Sequence, residues 1–154
     1  MKKSPYPFVY GALSAIILIA YFLILSVFNL HQNPVFGLLN LPIMAAGMWL
    51  LIKKYKTENL NHFNYKKGIW ALFRCGVITT LIYTGFFALY ITNLNPEFLK
   101  DLIPIWENDY HTNPGIAIFT VALMGFSFSA ALSLTYMQLF KRSWNTKEGN
   151  DHTY

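Results

Sequence analysis

Residues 7–52 read PFVYGALSAIILIAYFLILSVFNLHQNPVFGLLNLPIMAAGMWLLI, and this run decides the fold. No Asp, Glu, Lys or Arg occurs between Lys3 and Lys53. A helix that crosses the hydrocarbon core of a bilayer needs about 20 mostly apolar residues. The run is therefore long enough for two membrane-spanning helices. We predict them near 7–29 and 34–52, joined by a short turn.

Two later stretches of the chain repeat this pattern. The charge-free residues that follow Arg74 and Asp109 can each hold one more span, near 69–93 and 114–140. Charged residues make up only 12% of the chain, about half the share that is typical of soluble globular proteins. The sequence therefore predicts an all-α, four-span transmembrane helical bundle, in which residues 1–154 form a single membrane domain.

The basic residues predict how the four spans are oriented. Lysine and arginine in short loops mark the cytoplasmic side of a membrane. Ten of the twelve basic residues lie in the N-terminal segment, the inner loop 53–67 and the tail 141–154. The outer loop 94–113 has one lysine and four acidic residues. We therefore predict an N-in/C-in topology, and we attribute the net charge of +5 to topology and not to nucleic-acid binding.

The outer loop between spans three and four contains a helix-start pattern. Asn95 is a good helix cap, Pro96 suits the first helical position, and Glu97 is an acid in the first turn. The residues that follow, FLKDLIPIW, are apolar at helical spacing until they reach Pro104. We therefore predict a short interfacial helix in this loop.

The pattern His-x-Asn-Pro occurs twice, as HQNP at 31–34 and HTNP at 111–114. Asparagine caps a helix and proline fits its first turn, so each copy is explained as the start of a span. An ancient duplication of a helical hairpin is one alternative. A metal site that joins His31 to His111 is another, but such sites need three or four ligands at a defined geometry. We predict no metal ion, and the sequence does not establish whether the two histidines approach each other.

Small residues on spans three and four predict where helices pack. They recur every four positions, at Gly76, Thr80, Thr84, Gly125, Ser129 and Ser133. Lipid tails are as apolar as leucine, so membrane helices associate through close packing of small residues and a few polar contacts. We expect these stripes to pack helices within one bundle. Contact with a second copy, or with a different membrane protein, is the alternative.

Arg74 is the one ionisable residue that lies clearly inside a predicted span. Intramembrane charges are candidates for function. Because Arg74 is only about six residues into span three, its side chain can reach back to the headgroups. We expect this reach, or a structural contact with a backbone carbonyl. Binding of a lipid phosphate or another anion is the alternative. Aromatic residues near span ends, such as Trp70 and Tyr90, are interpreted as anchors at the membrane surfaces.

Three segments carry a resemblance to a known family. They are YGALSAIILIAYFLIL at 10–25, GIWALFRCGVITTLIY at 68–83 and NPEFLKDLI at 95–103. The chain resembles the small bacterial four-helix membrane proteins grouped as the domain of unknown function DUF4199, although its outer loop is shorter than is usual there. The resemblance implies a bacterial inner membrane, and it implies no activity, substrate or cofactor.

Catalytic signatures are missing from the sequence. It contains no nucleophile elbow, zinc-protease motif, phosphate-binding loop, CxxC pair or paired intramembrane acids. We therefore expect neither an enzyme nor a cofactor, and we expect a structural or accessory subunit of the inner membrane. A small oligomeric transporter or channel is the alternative. The expected partners are membrane lipids, together with a second copy or another membrane protein.

Overall fold

A computed structural model of the protein describes residues 5–28, 30, 34–58, 65–96, 98 and 113–139. The regular elements within these residues are all helical. They are α1 (Tyr6–Val27), α2 (Pro34–Gly37), α3 (Asn40–Glu58), α4 (Tyr65–Leu89), a π-helical turn (Tyr90–Leu94) and α5 (Pro114–Leu139). Four stretches are long and apolar enough to cross a membrane, namely Tyr6–Val27, Val35–Thr57, Tyr65–Leu94 and Pro114–Leu139. The predicted all-α class is thus confirmed, with four helices that are long and apolar enough to cross a membrane.

The second span is interrupted by a turn between α2 and α3, which the sequence analysis did not predict. Pro42 lies in the first turn of α3 and has no N–H, so it cannot bond to the carbonyl of Leu38. That carbonyl accepts instead from the N–H of Leu41, at 3.2 Å. Such bonds between residues three apart tighten the backbone into a 3₁₀-like turn. The break is therefore a local consequence of the proline ring.

The helices on either side of the predicted inner loop continue beyond the apolar runs. The second span was expected to end near 52 and the third to begin near 69, whereas α3 ends at Glu58 and α4 begins at Tyr65. Lysine and glutamate are good helix formers, so the first charge ends the apolar run without ending the helix. We call this region the basic end of the bundle, and its described lysines are Lys53, Lys54, Lys56, Lys66 and Lys67.

The third span ends where the sequence places a proline. Pro96 disfavours a helical conformation at the residue before it, and Asn95 has φ −146° and ψ 80°. The N–H of Asn95 closes the π-helical turn by donating to Tyr90 O at 2.8 Å. Its side-chain Oδ1 accepts from the N–H of Phe98 at 3.2 Å, as a helix cap does. The rest of the predicted interfacial helix lies outside the described residues.

Helix α4 is the centre of the packing. It contacts α1, α3 and α5, whereas α5 packs chiefly on α4 and touches α3 less extensively. Two groups of buried side chains fill the spaces between the helices. The group near the basic end is Met44, Met48, Leu51, Ile52, Leu72, Cys75 and Met137. The group at the opposite end is Phe22, Phe87, Tyr90, Ile91 and Phe98.

Candidate functional site

The contact between α4 and α5 is a seam of small residues. Gly76 lies so close to α5 that an added Cβ would be 2.5 Å from the Cβ of Ser129 and 3.1 Å from its Cα. One turn further along α4, a Cβ on Gly125 would be 2.5 Å from the Cγ2 of Thr80. A hydrogen atom is thus the largest side chain that fits at either glycine. The structure brings these four residues of the predicted stripes together in two pairs.

The hydroxyl groups of the seam bond mainly to the backbone of their own helix. Ser129 Oγ donates to Gly125 O at 2.7 Å, and Ser133 Oγ donates to Ser129 O at 2.6 Å. Across the seam, Thr80 Oγ1 and Ser129 Oγ are 3.5 Å apart. Thr84 Oγ1 is buried and has no hydrogen-bond partner within the described part of the chain. Close backbone approach therefore holds α5 to α4 more than interhelical hydrogen bonds do.

Helix α1 packs on α4 through a second close contact. A Cβ on Gly11 would be 2.8 Å from the carbonyl oxygen of Cys75. Thr79 Oγ1 is 3.0 Å from both Gly11 O and Cys75 O, so it links the two helices by a buried hydrogen bond. The sequence analysis did not select Thr79, because its side chain lies outside the stripe that begins at Gly76. The sequence feature that could have pointed to Thr79 is its position as a small polar residue directly beside that stripe.

Longer polar side chains also connect neighbouring helices. Tyr136 OH donates to Ala45 O at 2.7 Å and so links α5 to α3. Gln138 Nε2 donates to Tyr65 OH at 3.4 Å, which links α5 to α4 at the basic end. Tyr21 OH donates to Phe36 O at 2.9 Å and fixes α2 to α1 beside the break in span two. These bonds connect the helices in one arrangement.

An aromatic cluster forms at the end opposite the basic end. Phe22 makes edge-to-face contacts with Phe86, Phe87, Tyr90 and Phe98, with ring centroids 4.9–6.2 Å apart. The Tyr90 hydroxyl is hydrogen-bonded to Ser26 Oγ at 2.7 Å. Tyr90 is only 5% exposed, so its interpretation as a surface anchor was wrong. It packs α4 against α1.

Arg74 lies on the outside of the bundle. Its side chain is exposed, as are those of Lys67 and Trp70 on the same face of α4. Within the described residues, no hydrogen bond or ion pair is present for the Arg74 guanidinium, so the expected carbonyl contact is not made there. The Trp70 ring packs edge-to-face on Phe73, with centroids 6.2 Å apart. The exposed side chains of Lys67, Trp70 and Arg74 all carry hydrogen-bond donors.

The two His-x-Asn-Pro stretches are described only in part. Asn113 Oδ1 accepts from the N–H of Gly115 at 2.9 Å, which confirms the predicted cap at the start of α5. His31 and His111 lie outside the described residues, as do the acidic residues that follow Asn95 in the outer loop. Among the residues that are described, no three His, Cys, Asp or Glu side chains are grouped closely enough to hold a metal ion.

Comparison with protein-family models gives a match over most of the chain. The family model described as Protein of unknown function (DUF4199) matches residues 9–142 of the chain. These residues include nearly all of the four candidate spans, and the match confirms the resemblance seen in the sequence. Neither a curated protein nor a solved structure matches the chain.

Proposed function

The chain belongs to the DUF4199 family of unknown function, and we propose that it is a non-catalytic structural or accessory subunit of a bacterial inner membrane. The observation that supports this proposal is the exposure of α5. Only 6% of its most apolar stretch is buried within the described structure, compared with 39% for the third span. A helix with so little of its surface covered by its own chain can present a face to another membrane protein.

The outward face of α5 carries small and polar residues among larger apolar ones. Its small and polar members are Thr120, Ser127, Ala131, Thr135 and Gln138. The larger apolar side chains Ile116, Leu123, Met124 and Leu134 are exposed beside them. The three hydroxyls donate to backbone carbonyls of α5 at 2.8–2.9 Å. These three hydroxyls therefore need no acceptor on another helix. Small residues of this kind let membrane helices approach closely, which supports contact with a further transmembrane helix.

The test of this proposal is the mass of the intact complex in a mild detergent. We expect wild type to purify with a second copy or a fixed companion. Ala131→Phe should lose it, because a bulky ring blocks close approach of a neighbouring helix. Ala20→Phe is the matched control, since Ala20 is also exposed but lies on α1. A wild-type protein that is monomeric and without companions under these conditions would contradict the proposal.

A small oligomeric transporter or channel is the second candidate, because the polar face of α5 could instead line an axis shared by several copies. The two candidate functions differ in whether water reaches that face of α5. Cysteine placed at Ser127, in a Cys75→Ser background, should stay unmodified by a water-soluble thiol reagent if the face packs against a helix. Rapid modification of position 127, with the oligomer intact, would favour the channel.

We also propose the N-in/C-in orientation, with an interfacial helix in the outer loop 94–113. The positive-inside distribution of lysines supports this orientation. Cysteines replacing Lys56 and Lys100 one at a time, in a Cys75→Ser background, can be probed in intact cells with a membrane-impermeant thiol reagent. We expect strong labelling at position 100 and little at position 56. Strong labelling at position 56 with little at position 100 would show that the topology is the reverse of the one proposed.

A further inference from the structure

One face of α4 is left uncovered by the other described helices near the basic end. The two flanks of this face are occupied, because α1 lies against the carbonyl of Cys75 and α5 lies against Gly76. Between the flanks, the side chains of Lys67, Trp70 and Arg74 are exposed, with Trp70 at 52%. Residues three, four and seven apart lie on one side of an α-helix. The three side chains therefore form a row that points away from the bundle.

Contacts between helices show at what depth Arg74 lies. The carbonyl of Cys75, the residue after Arg74, lies beside Gly11 of α1. Ser14 is about 4.5 Å further along α1, away from the basic end, and it lies beside Gly47 of α3. Lys53 lies about 9 Å from Gly47 towards the basic end. Arg74 is thus within about 3 Å of the depth of Lys53. Because Lys53 is the first charged residue after an apolar run, this depth marks the boundary between acyl chains and headgroups. Trp70 and Lys67 lie beyond it, towards the basic end.

The row has the chemistry of a phosphate site. An ammonium, an indole N–H and a guanidinium supply donors, and none of them can accept. Further along this face lie Val77, Leu81 and Gly85, which have no side-chain acceptor. We propose that Lys67, Trp70 and Arg74 bind the phosphate headgroup of an anionic phospholipid. A zwitterionic headgroup fits less well, because the described residues of this face offer no carboxylate to pair with its cationic part.

The same face provides room for the acyl chains of this lipid. Beyond Arg74, Leu81 is 58% exposed. A Cβ added at Gly85 would have nothing within 4 Å, so the surface is open there. The eleven residues from Arg74 to Gly85 rise by about 16 Å, which is close to half of a hydrocarbon core of about 30 Å. A lipid of one leaflet can therefore place its headgroup at Arg74 and a chain along α4.

The test is lipid binding to the purified full-length protein, counted by native mass spectrometry. The detergent-solubilised protein is titrated with phosphatidylglycerol, and separately with phosphatidylcholine that carries the same acyl chains. We expect wild type to bind phosphatidylglycerol several-fold more tightly. Arg74→Ala should weaken that binding about tenfold. Arg74→Lys should weaken it about threefold or more, because an ammonium cannot bind two phosphate oxygens in the planar, bidentate manner of a guanidinium.

Lys53→Ala is the matched control, since it removes one charge at the same depth on a different helix. We expect it to change phosphatidylglycerol binding by less than about twofold. Trp70→Phe keeps an aromatic ring and removes the N–H donor. It should weaken phosphatidylglycerol binding about twofold to threefold, and it tests the site even if Arg74→Ala fails to fold. Equal binding of the two lipids, equal losses for the Arg74→Ala and Lys53→Ala variants, or wild-type binding by Arg74→Lys would each overturn the proposed site.

Discussion

Replacing Gly76 by leucine should detach α5 from α4 and lower the free energy of unfolding by about 3 kcal/mol or more. The reason is steric. Even a methyl group at Gly76 would lie 2.5 Å from Ser129 and 3.1 Å from the backbone of α5. Rotation of one side chain cannot relieve that overlap, so the helices must separate along the whole seam. The measurements are the melting temperature in a mild detergent and the midpoint of unfolding as a denaturing detergent is added.

Gly85→Leu is the control for this prediction. It makes the same substitution on the same helix, at a position where nothing lies within 4 Å of an added Cβ. Leucine is also a better helix former than glycine by somewhat under 1 kcal/mol, so we expect an unchanged or slightly raised melting temperature. If the Gly76 and Gly85 variants melt alike, α5 does not pack where the seam places it.

The sequence predicted the spans and the α4–α5 seam for the same physical reason. A chain that crosses a bilayer must be apolar and helical, so the gaps between charged residues predict the spans. The small residues repeated every four positions from Gly76 and Gly125 predict surfaces where helices can approach closely. The break near Leu38 could also have been predicted from the sequence. Pro42 stands eight residues into the predicted second span, and its missing N–H was bound to disturb the hydrogen bond to Leu38. The gaps between charged residues do not show this break, because no charged residue lies near Pro42.

Other features depend on which helices become neighbours, and one sequence does not contain that information. The row of Lys67, Trp70 and Arg74 follows from helical spacing alone. That this face is left uncovered depends on α1 and α5 occupying the two flanks of α4. Tyr90 shows the same limit. An aromatic residue near a span end is typical of a membrane-surface anchor, and only the position of α1 makes it part of a buried cluster.

The aromatic cluster gives the second large effect, because Phe22 lies at its centre. Phe22→Ala would remove the ring that four other rings contact edge-on, from a position that is only 7% exposed. Buried phenylalanine truncations cost about 3–5 kcal/mol in water-soluble proteins. Lipid and detergent are themselves apolar, so most of the hydrophobic transfer term cancels and the loss is one of packing. We therefore expect a cost of about 3 kcal/mol, at the low end of that range.

Phe8→Ala is the matched control for the Phe22 variant. It truncates the same ring on the same helix, but Phe8 is 65% exposed, so its melting temperature should stay close to that of wild type. The Phe22 variant should also weaken the hydrogen bond between Tyr90 and Ser26, because the Phe22 ring holds the Tyr90 ring at 4.9 Å. A Ser26→Ala substitution should then cost less in the Phe22→Ala background than in wild type. Full additivity of the two substitutions would show that the ring contacts and the hydrogen bond act independently.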